Sequence, residues 1–385
     1  MIPVIVTIFN LSASGQIKVR LFTEESPNSI VFTAIRSGYS LDPFFEKPVY
    51  LEAGEPVFIS RMDNKLLVKP LKIKGFFCDS LVIAVKAGNG SFTLRTGGRA
   101  PVKRIYKGDI KLLSDLGTLL IINTCDVESY VAGVVRAESG PGQNIEYIKT
   151  QAIIARTYMY KNFNKHLTDG FNLCDDTHCQ AYKGITDDTV ICRASKATAG
   201  LVILGPDSTL IIAAFHSNCG GETATSESVW LTDRPYLKSV SDPFCTESRN
   251  AKWQVKISRD EWRDYLKEMD YQEDLPDSEV INFSQEKRKE MFRTGSFSIP
   301  VSRIRSDFHL RSAYFSLIED GDSLVINGRG YGHGVGLCQE GAMVMASKGF
   351  DYRRIINFYY KNVRIADISE ATGEERERSI PVNSR

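Results

Sequence analysis

The chain has 385 residues, 42% hydrophobic and 25% charged, which is ordinary for a globular protein and long enough to bury a large core. Lys and Arg total 48 against 47 Asp and Glu, and this net charge of +1 excludes bulk attraction to nucleic acid or an acidic membrane as the organising principle. At about 100–200 residues per domain the length suggests two or three domains or one elaborated one, and with no run of about 18 apolar residues no transmembrane segment is expected.

The chain opens with MIPVIVTIFNLSASG. No basic residue precedes its apolar run, and the Val/Ile/Thr content favours a strand, so it is a poor secretory signal. That leaves a cytoplasmic protein, or one whose leader has been removed. From there to about residue 122, short β-branched or aromatic runs such as GQIKVRLF, NSIVFTAI, EPVFIS, DSLVIAVKA and SFTLRTG alternate with Gly, Asn, Asp and Pro. They predict a β-rich platform or surface-recognition module without chemistry of its own.

The texture changes at Asp126. Val127, Val131, Val134 and Glu138 share one face of a helix, and Ser139-Gly140-Pro141-Gly142 breaks it. Ile145, Ile148, Ala152, Ala155 and Met159 form the buried stripe of a second helix. The spacing therefore predicts a helical hairpin with a carboxylate on its inward side at the turn. Desolvation raises a carboxyl pKa, so Glu138 is placed to be a general acid. The alternatives are a glutamate paired with Arg136 or Arg156, or one facing water.

FNLCDDTHCQAY reads as a polar loop, in which Cys174, His178 and Cys179, with His166 upstream, have the chemistry to hold zinc. A Cys174–Cys179 disulfide or two free thiols are the competing readings. TLIIAAFHSNCGG predicts a buried strand ending in a Gly pair. Residues 246–300 predict a charged peripheral excursion with a helix in SRDEWRDYLKEM, and 312–327 a hairpin around Asp-Gly-Asp. GRGYGHGVG places five glycines in nine residues around His333, allowing close backbone approach. It is neither a Walker loop nor, without strand-turn-helix context, a dinucleotide fingerprint. A helix through DYRRIINFYY follows, then a charged tail.

Four separated segments in order resemble the SpoIID/LytB family: YVAGVVRAESGPGQNIEYIKTQAIIARTYMY, FNLCDDTHCQAYKG, FHSNCGGET with RPYLKSVSDPFC, and INGRGYGHGVGLCQEGAMVMASKGFDYRRIINFYYKNVRI. The resemblance covers about 100–245 and 302–367. It implies an extracytoplasmic protein of the cell envelope acting on peptidoglycan, as a lytic transglycosylase that cleaves between N-acetylmuramic acid and N-acetylglucosamine on strands stripped of stem peptides. The family's essential acid falls on Glu138. Substrate-binding positions fall on Arg156, Gln151, Tyr158, His216, Asn218, Gly220, Gly221, His333, Gly334 and Gln339. Departures are Ser139, where most members carry Met, and Cys338, where Ser or Met is usual.

The expected fold is α+β: a β-rich module over 1–100, then a catalytic domain over 101–367 with the insertion at about 246–300, and a disordered tail over 368–385. In the catalytic domain the hairpin carrying Glu138 packs on mixed β-structure around a glycan-binding cleft. The chemistry needs no cofactor; any zinc on Cys174, Cys179, His178 and His166 is structural. The expected partner is peptidoglycan, with an amidase or other wall hydrolase as a further one and no nucleic acid. In an exported protein Cys219 and Cys245 are expected close enough for a disulfide. The alternative readings are a non-catalytic glycan-binding module that stimulates another wall hydrolase, and a zinc hydrolase built on Cys174, His178 and Cys179.

Overall fold

A computed structural model describes residues 15–44, 47–115, 117–271, 280 and 282–372. The VIVTIF run expected as a strand, and the tail from residue 373 on, lie outside the described residues. The first part is two facing antiparallel sheets. Strands β1 (Gln16–Arg20), β2 (Ser29–Arg36), β3 (Tyr39–Asp42), β4 (Val49–Leu51), β5 (Pro56–Met62), β6 (Lys65–Pro70), β7 (Phe76–Cys78), β8 (Ser80–Val85), β9 (Ser91–Thr96), β10 (Lys103–Lys107), β11 (Asp109–Asp115) and β12 (Thr118–Asp126) supply them. One sheet has the order β10-β9-β2-β5-β6-β7; the other runs β1-β12-β11-β8-β3-β4, with β13 (Leu173–Cys174) added parallel to β1. Burial alternates along β1 and β2, as period-2 side chains require. Tyr39 of one sheet packs edge-on against Phe32 and Phe92 of the other, at 5.2 and 5.8 Å.

This β-structure does not stop at residue 100. β11 and β12 lie inside the second sheet, so the sandwich continues to Asp126 and runs directly into helix α1 (Val127–Ser139). The Asp126 side chain caps that helix at Ser129 N, and Gly140, at φ 67°, ends it. Helix α2 (Ile145–Lys161), capped by Asn144, packs back on α1. Val127, Val131 and Val134 are buried, as are Ile148, Ala152, Ala155 and Met159, so the predicted hairpin forms. Helix α3 (Thr189–Ala197) and strand β14 (Leu201–Leu204) complete the layer around α2.

The strand expected over 209–221 is short. Only β15 (Phe215–His216) is regular. Upstream of it the backbone finds partners one at a time: Ile211 N–H donates to the Ile203 carbonyl and Ile212 N–H to the Tyr236 hydroxyl. After the short helix α4 (Ser226–Trp230), the inserted region builds a second core. It consists of β16 (Lys252–Ser258), α5 (Arg259–Glu268), β17 (Met291–Thr294), β18 (Phe297–Pro300), α6 (Val301–Asp307), and the hairpin β19 (Phe315–Asp320) and β20 (Ser323–Arg329). Trp262 is its centre, fully buried. The unit thus extends past 300 to the Gly-rich segment. β21 (Leu337–Cys338) pairs parallel to β15 and leads into α7 (Gln339–Ser347), α8 (Tyr352–Tyr359) and β22 (Arg364–Asp367). Ile368 and Ala371 are buried, so the expected tail is packed as far as residue 371. The architecture is α+β. No described helix is long and apolar enough to cross a membrane.

Candidate functional site

Glu138 occupies the last turn of α1 and is half-buried. Burial raises its carboxyl pKa, opposed by a hydrogen bond from the backbone N–H of Ala181. It pairs with neither arginine offered as an alternative. Arg136 is exposed. Arg156 is fully buried and bidentate to Glu128, with Nε–Oε1 2.9 Å and Nη2–Oε2 2.5 Å. Its remaining donors go to the carbonyls of Leu201, Ser195 and Ala152. The guanidinium of Arg156, expected to bind substrate, is spent on tying α1, α2, α3 and β14 together.

Tyr147 and Gln151, one turn apart on α2, share a face. The Tyr147 hydroxyl is buried beside Ser139, Gln339 and the charge of Glu138, which helps raise its pKa. Tyr147 Oη, Ser139 Oγ, Gln339 Nε2 and Gln151 Nε2 are all buried without a close hydrogen-bond partner among the described residues, and Ser139 and Gln339 reach only towards the Tyr147 hydroxyl. Buried polar atoms are normally paired. Here the polar groups around the Tyr147 hydroxyl are underused beside a desolvated carboxyl. Tyr147 was not foreseen; its helical spacing to Gln151 was the available signal.

Farther along α2, Tyr158 is raised to about 12 by burial and by Cys179 and Cys174, which places it at the thiol loop. There His166, Cys174, His178 and Cys179 present ligand atoms all within 4.8 Å of one another. His178 Nδ1 is 3.5 Å from Cys174 Sγ and 3.8 Å from Cys179 Sγ. His166 Nδ1 lies 3.0 Å from Asp169 Oδ2, and its buried Nε2 has no hydrogen-bond partner among the described residues. A carboxylate on one imidazole nitrogen leaves the other as a metal donor, so zinc fits this set. The loop is anchored to the sandwich by Asp175, which accepts from Phe22 N, Thr23 N, Thr23 Oγ and Arg104 Nη1. Two residues beyond Cys179, Ala181 donates to Glu138. Gly133 of α1 makes this approach possible: a Cβ there would sit 2.3 Å from the Gly184 carbonyl and 2.5 Å from the Tyr182 ring.

Elsewhere in the chain the two glycine turns interlock. His216 and His333 rings lie 5.5 Å apart, and Trp230 lies 5.6 Å from His333. His216 donates from Nδ1 to the Val335 carbonyl at 3.1 Å, while Val335 N–H donates to His333 Nδ1 at 3.0 Å. Burial pushes both imidazole pKa values down, His333 to about 4, so both are neutral at neutral pH. Asn218 is buried and consumed internally, by the Cys245 carbonyl, Glu340 and Gly220 N. Gly220 and Gly221 take φ of +71° and +100° beside it.

The insertion, expected to be peripheral, sends Arg288 inward. Its guanidinium donates to the carbonyls of Cys219 and Glu222, and a Cβ on Gly334 would meet it at 2.9 Å. Gly334 lets that guanidinium lie against its backbone, and its φ of +82° suits glycine by itself. Nothing in the local sequence distinguished that arginine. Cys219 and Cys245 do come together, with sulfurs 3.3 Å apart, but as free thiols. Cys338 and Asp242 join them in a group that the sequence reading did not anticipate.

The family model described as SpoIID, stage II sporulation protein, matches residues 115–204, which hold the hairpin and the Cys/His loop. An uncharacterized protein of Brachyspira hyodysenteriae is 30% identical over 281 residues, 70% of this chain and 74% of its own length. Stage II sporulation protein D of Bacillus subtilis is 30% identical over 266 residues, 64% of this chain and 76% of that protein. The amidase enhancer of Bacillus subtilis is 26% identical over 284 residues, 59% of this chain but 39% of the longer relative.

Proposed function

From the premise that the chain belongs to the SpoIID/LytB family, we propose that it acts in the cell wall as a peptidoglycan lytic transglycosylase with Glu138 as its single acid and base. The observation that carries this reading is the desolvated Glu138 carboxyl beside the unpaired polar atoms of Ser139, Tyr147 and Gln339. A carboxyl whose pKa burial raises holds its proton to higher pH than an ordinary glutamate, as protonation of a glycosidic oxygen requires. Ordinary glycosidases need a second carboxyl at a set distance. A muramoyl substrate brings its own nucleophile: Glu138, deprotonated by the first step, takes the proton of the C6 hydroxyl as that oxygen closes on C1. The product end is a 1,6-anhydromuramoyl unit. Tyr147, Gln151 and Gln339 would hold sugar hydroxyl or acetamido groups. The Ala181 N–H steadies the carboxylate after proton transfer.

His166, Cys174, His178 and Cys179 would hold zinc as a clamp on the loop that ends at Ala181, supplying rigidity. The neutral His216–His333 pair and Asn218 shape the opposite side rather than move protons. The substrate is the glycan strand, with stem peptides removed, and the site of action is extracytoplasmic.

The relative named amidase enhancer favours one other reading, a glycan-binding module that stimulates a separate wall hydrolase. Digestion of purified, peptide-free glycan strands by the full chain, with mass analysis of the products, decides between them. Anhydro-ended fragments support the transglycosylase. Strand binding without cleavage, combined with faster hydrolysis by an added amidase, supports the enhancer.

A further inference from the structure

Cys219 closes the second motif, Asp242 and Cys245 stand at the two ends of the Asp-Pro-Phe-Cys turn, and Cys338 precedes the last motif's glutamine. All four are buried, and their ligand atoms lie within 4.8 Å of one another. We propose that Cys219, Asp242, Cys245 and Cys338 form a second zinc site, a closed structural centre independent of the His166–Cys179 cluster and of whatever Glu138 does.

The four atoms lie within reach of one tetrahedral ion, whose thiolate and carboxylate ligands stand roughly 3.5–4 Å apart, so an ion would spread the closest pairs slightly. Cys219 Sγ is 3.3 Å from Cys245 Sγ and 3.2 Å from Asp242 Oδ2. Three thiols and a carboxylate facing one point without a cation leave sulfur against sulfur and make poor use of four polar groups. The surroundings are those of bound thiolates. Cys338 Sγ accepts from two backbone amides, Cys219 N at 3.3 Å and Gly341 N at 3.4 Å, the latter at the N-terminus of α7. Asp242 is oriented by the Tyr359 hydroxyl on Oδ2 at 2.9 Å and by Phe244 N on Oδ1 at 2.9 Å, the outer support that metal carboxylates require. The Arg288 guanidinium, 2.7 Å from the Cys219 carbonyl, offsets the negative charge of three thiolates and a carboxylate around one divalent ion. Soft thiolates select zinc over magnesium or calcium, and four protein ligands with full burial leave no open position, so the role is structural. Binding releases the thiol protons to solvent.

The consequence is positional. The ion would fasten the Ser217–Gly221 turn, the Asp242–Cys245 turn and the start of α7 to one point. Gln339, the residue after Cys338, then faces Tyr147 from a fixed base.

The test uses the full chain purified with reductant and without chelator. Elemental analysis should find two zinc equivalents, falling to one in Cys338→Ser and to one in Cys174→Ser, with the other site retained. Because Cys338→Ser may disturb folding, wild-type protein supplies the second measurement: alkylation of Cys219, Cys245 and Cys338, followed by mass spectrometry, should accelerate together when a strong chelator is added. Three results overturn the proposal: metal content unchanged by Cys338→Ser, alkylation of the three thiols indifferent to chelator, or a Cys219–Cys245 disulfide in protein purified without reductant and supplied with zinc.

Discussion

The cluster of His166, Cys174, His178 and Cys179 comes from one stretch of chain, whereas that of Cys219, Asp242, Cys245 and Cys338 is gathered from three segments, with Cys219 and Cys338 119 residues apart. Each leads to the same carboxyl. The first does so through Cys179 and Ala181, whose N–H reaches Glu138; the second does so through Cys338 and Gln339, beside Tyr147. The first is open to water at His178, the second closed on every member. Short-range ligand spacing can be read along a chain because a loop has few ways to fold. Long-range convergence needs the fold itself, because nothing in a serine-asparagine-cysteine-glycine turn says which distant thiol will meet it.

If the two walls serve one acid, the largest effect belongs to the acid. Glu138→Gln keeps the shape and removes the transferable proton, so cleavage of stripped glycan should fall by at least ~10²–10⁴-fold with strand binding retained. Turnover assays and pull-down with the same strands measure both. Undiminished turnover would break the comparison at its centre, since neither wall would then face the chemistry.

The next largest effect separates the walls from the brace behind them. Arg156→Met leaves Glu128 without its guanidinium partner and takes a donor from the Leu201 and Ser195 carbonyls, at a cost of ~3 kcal/mol or more for breaking a buried pair. Urea unfolding should show that loss, while the pH profile of cleavage in the remaining folded protein stays where it was. A change in substrate affinity with no loss of stability would return Arg156 to the binding role that its resemblance implied.

Much of this was visible in the chain. The apolar period ending in Glu138 placed the hairpin and its carboxylate, because helix burial is a local property of every third or fourth residue. The Cys/His loop was visible for the reason just given, and the Asp-Gly turn of the β19–β20 hairpin likewise. What stayed hidden was tertiary. The resemblance marked Arg156, but only packing shows that no donor is left over. Arg288 is one charged residue among many in its segment. The strand expected around Ile211 is cut short because only Leu210 and Ile211 meet β14, through a single bridge to Leu204 and one bond to the Ile203 carbonyl, after which Ile212 turns to the Tyr236 hydroxyl. The sandwich passes residue 100 because β1 at its beginning pairs with β12 at its end, a long-range choice.

Gly133 sharpens the comparison from the first wall. In an ordinary helix interior, Gly→Ala gains up to ~1 kcal/mol. Here the added methyl would meet Gly184 O and the Tyr182 ring, so Gly133→Ala should instead destabilise by ~1–3 kcal/mol, as overpacking does. It should also lower kcat by moving the segment that carries Ala181. A thermal melt and a rate measurement check it. A stabilised, fully active variant would show that the loop's contact with α1 does not set the position of Glu138.

The smallest effect is in pH dependence, and its sign follows from burial. The groups that act on Glu138 are the Ala181 N–H from the loop and the neighbouring Tyr147 hydroxyl from α2, itself beside Ser139 and Gln339; desolvation dominates and the pKa is raised. The folded protein then keeps a proton that the unfolded chain has already lost. This stability is full below the ordinary glutamate value of 4.5 and is lost as pH rises through the raised folded value. Glu138→Gln should remove that decline, making unfolding free energy flatter over the weakly acid to neutral range and the variant relatively more stable at neutral pH. His333 works the other way. Its pKa falls from 6.5 to about 4, so its contribution is full above 6.5 and is lost as pH drops through that window. Denaturant titrations of wild type and Glu138→Gln should differ in slope only above pH 4.5, where the unfolded chain has begun to lose the Glu138 proton. Cleavage by wild type should show an alkaline limb above that of an unperturbed glutamate, because the acid must begin the reaction protonated. If the two proteins have parallel stability curves throughout, Glu138 is not desolvated in solution, and the unpaired groups around it face water rather than a sugar.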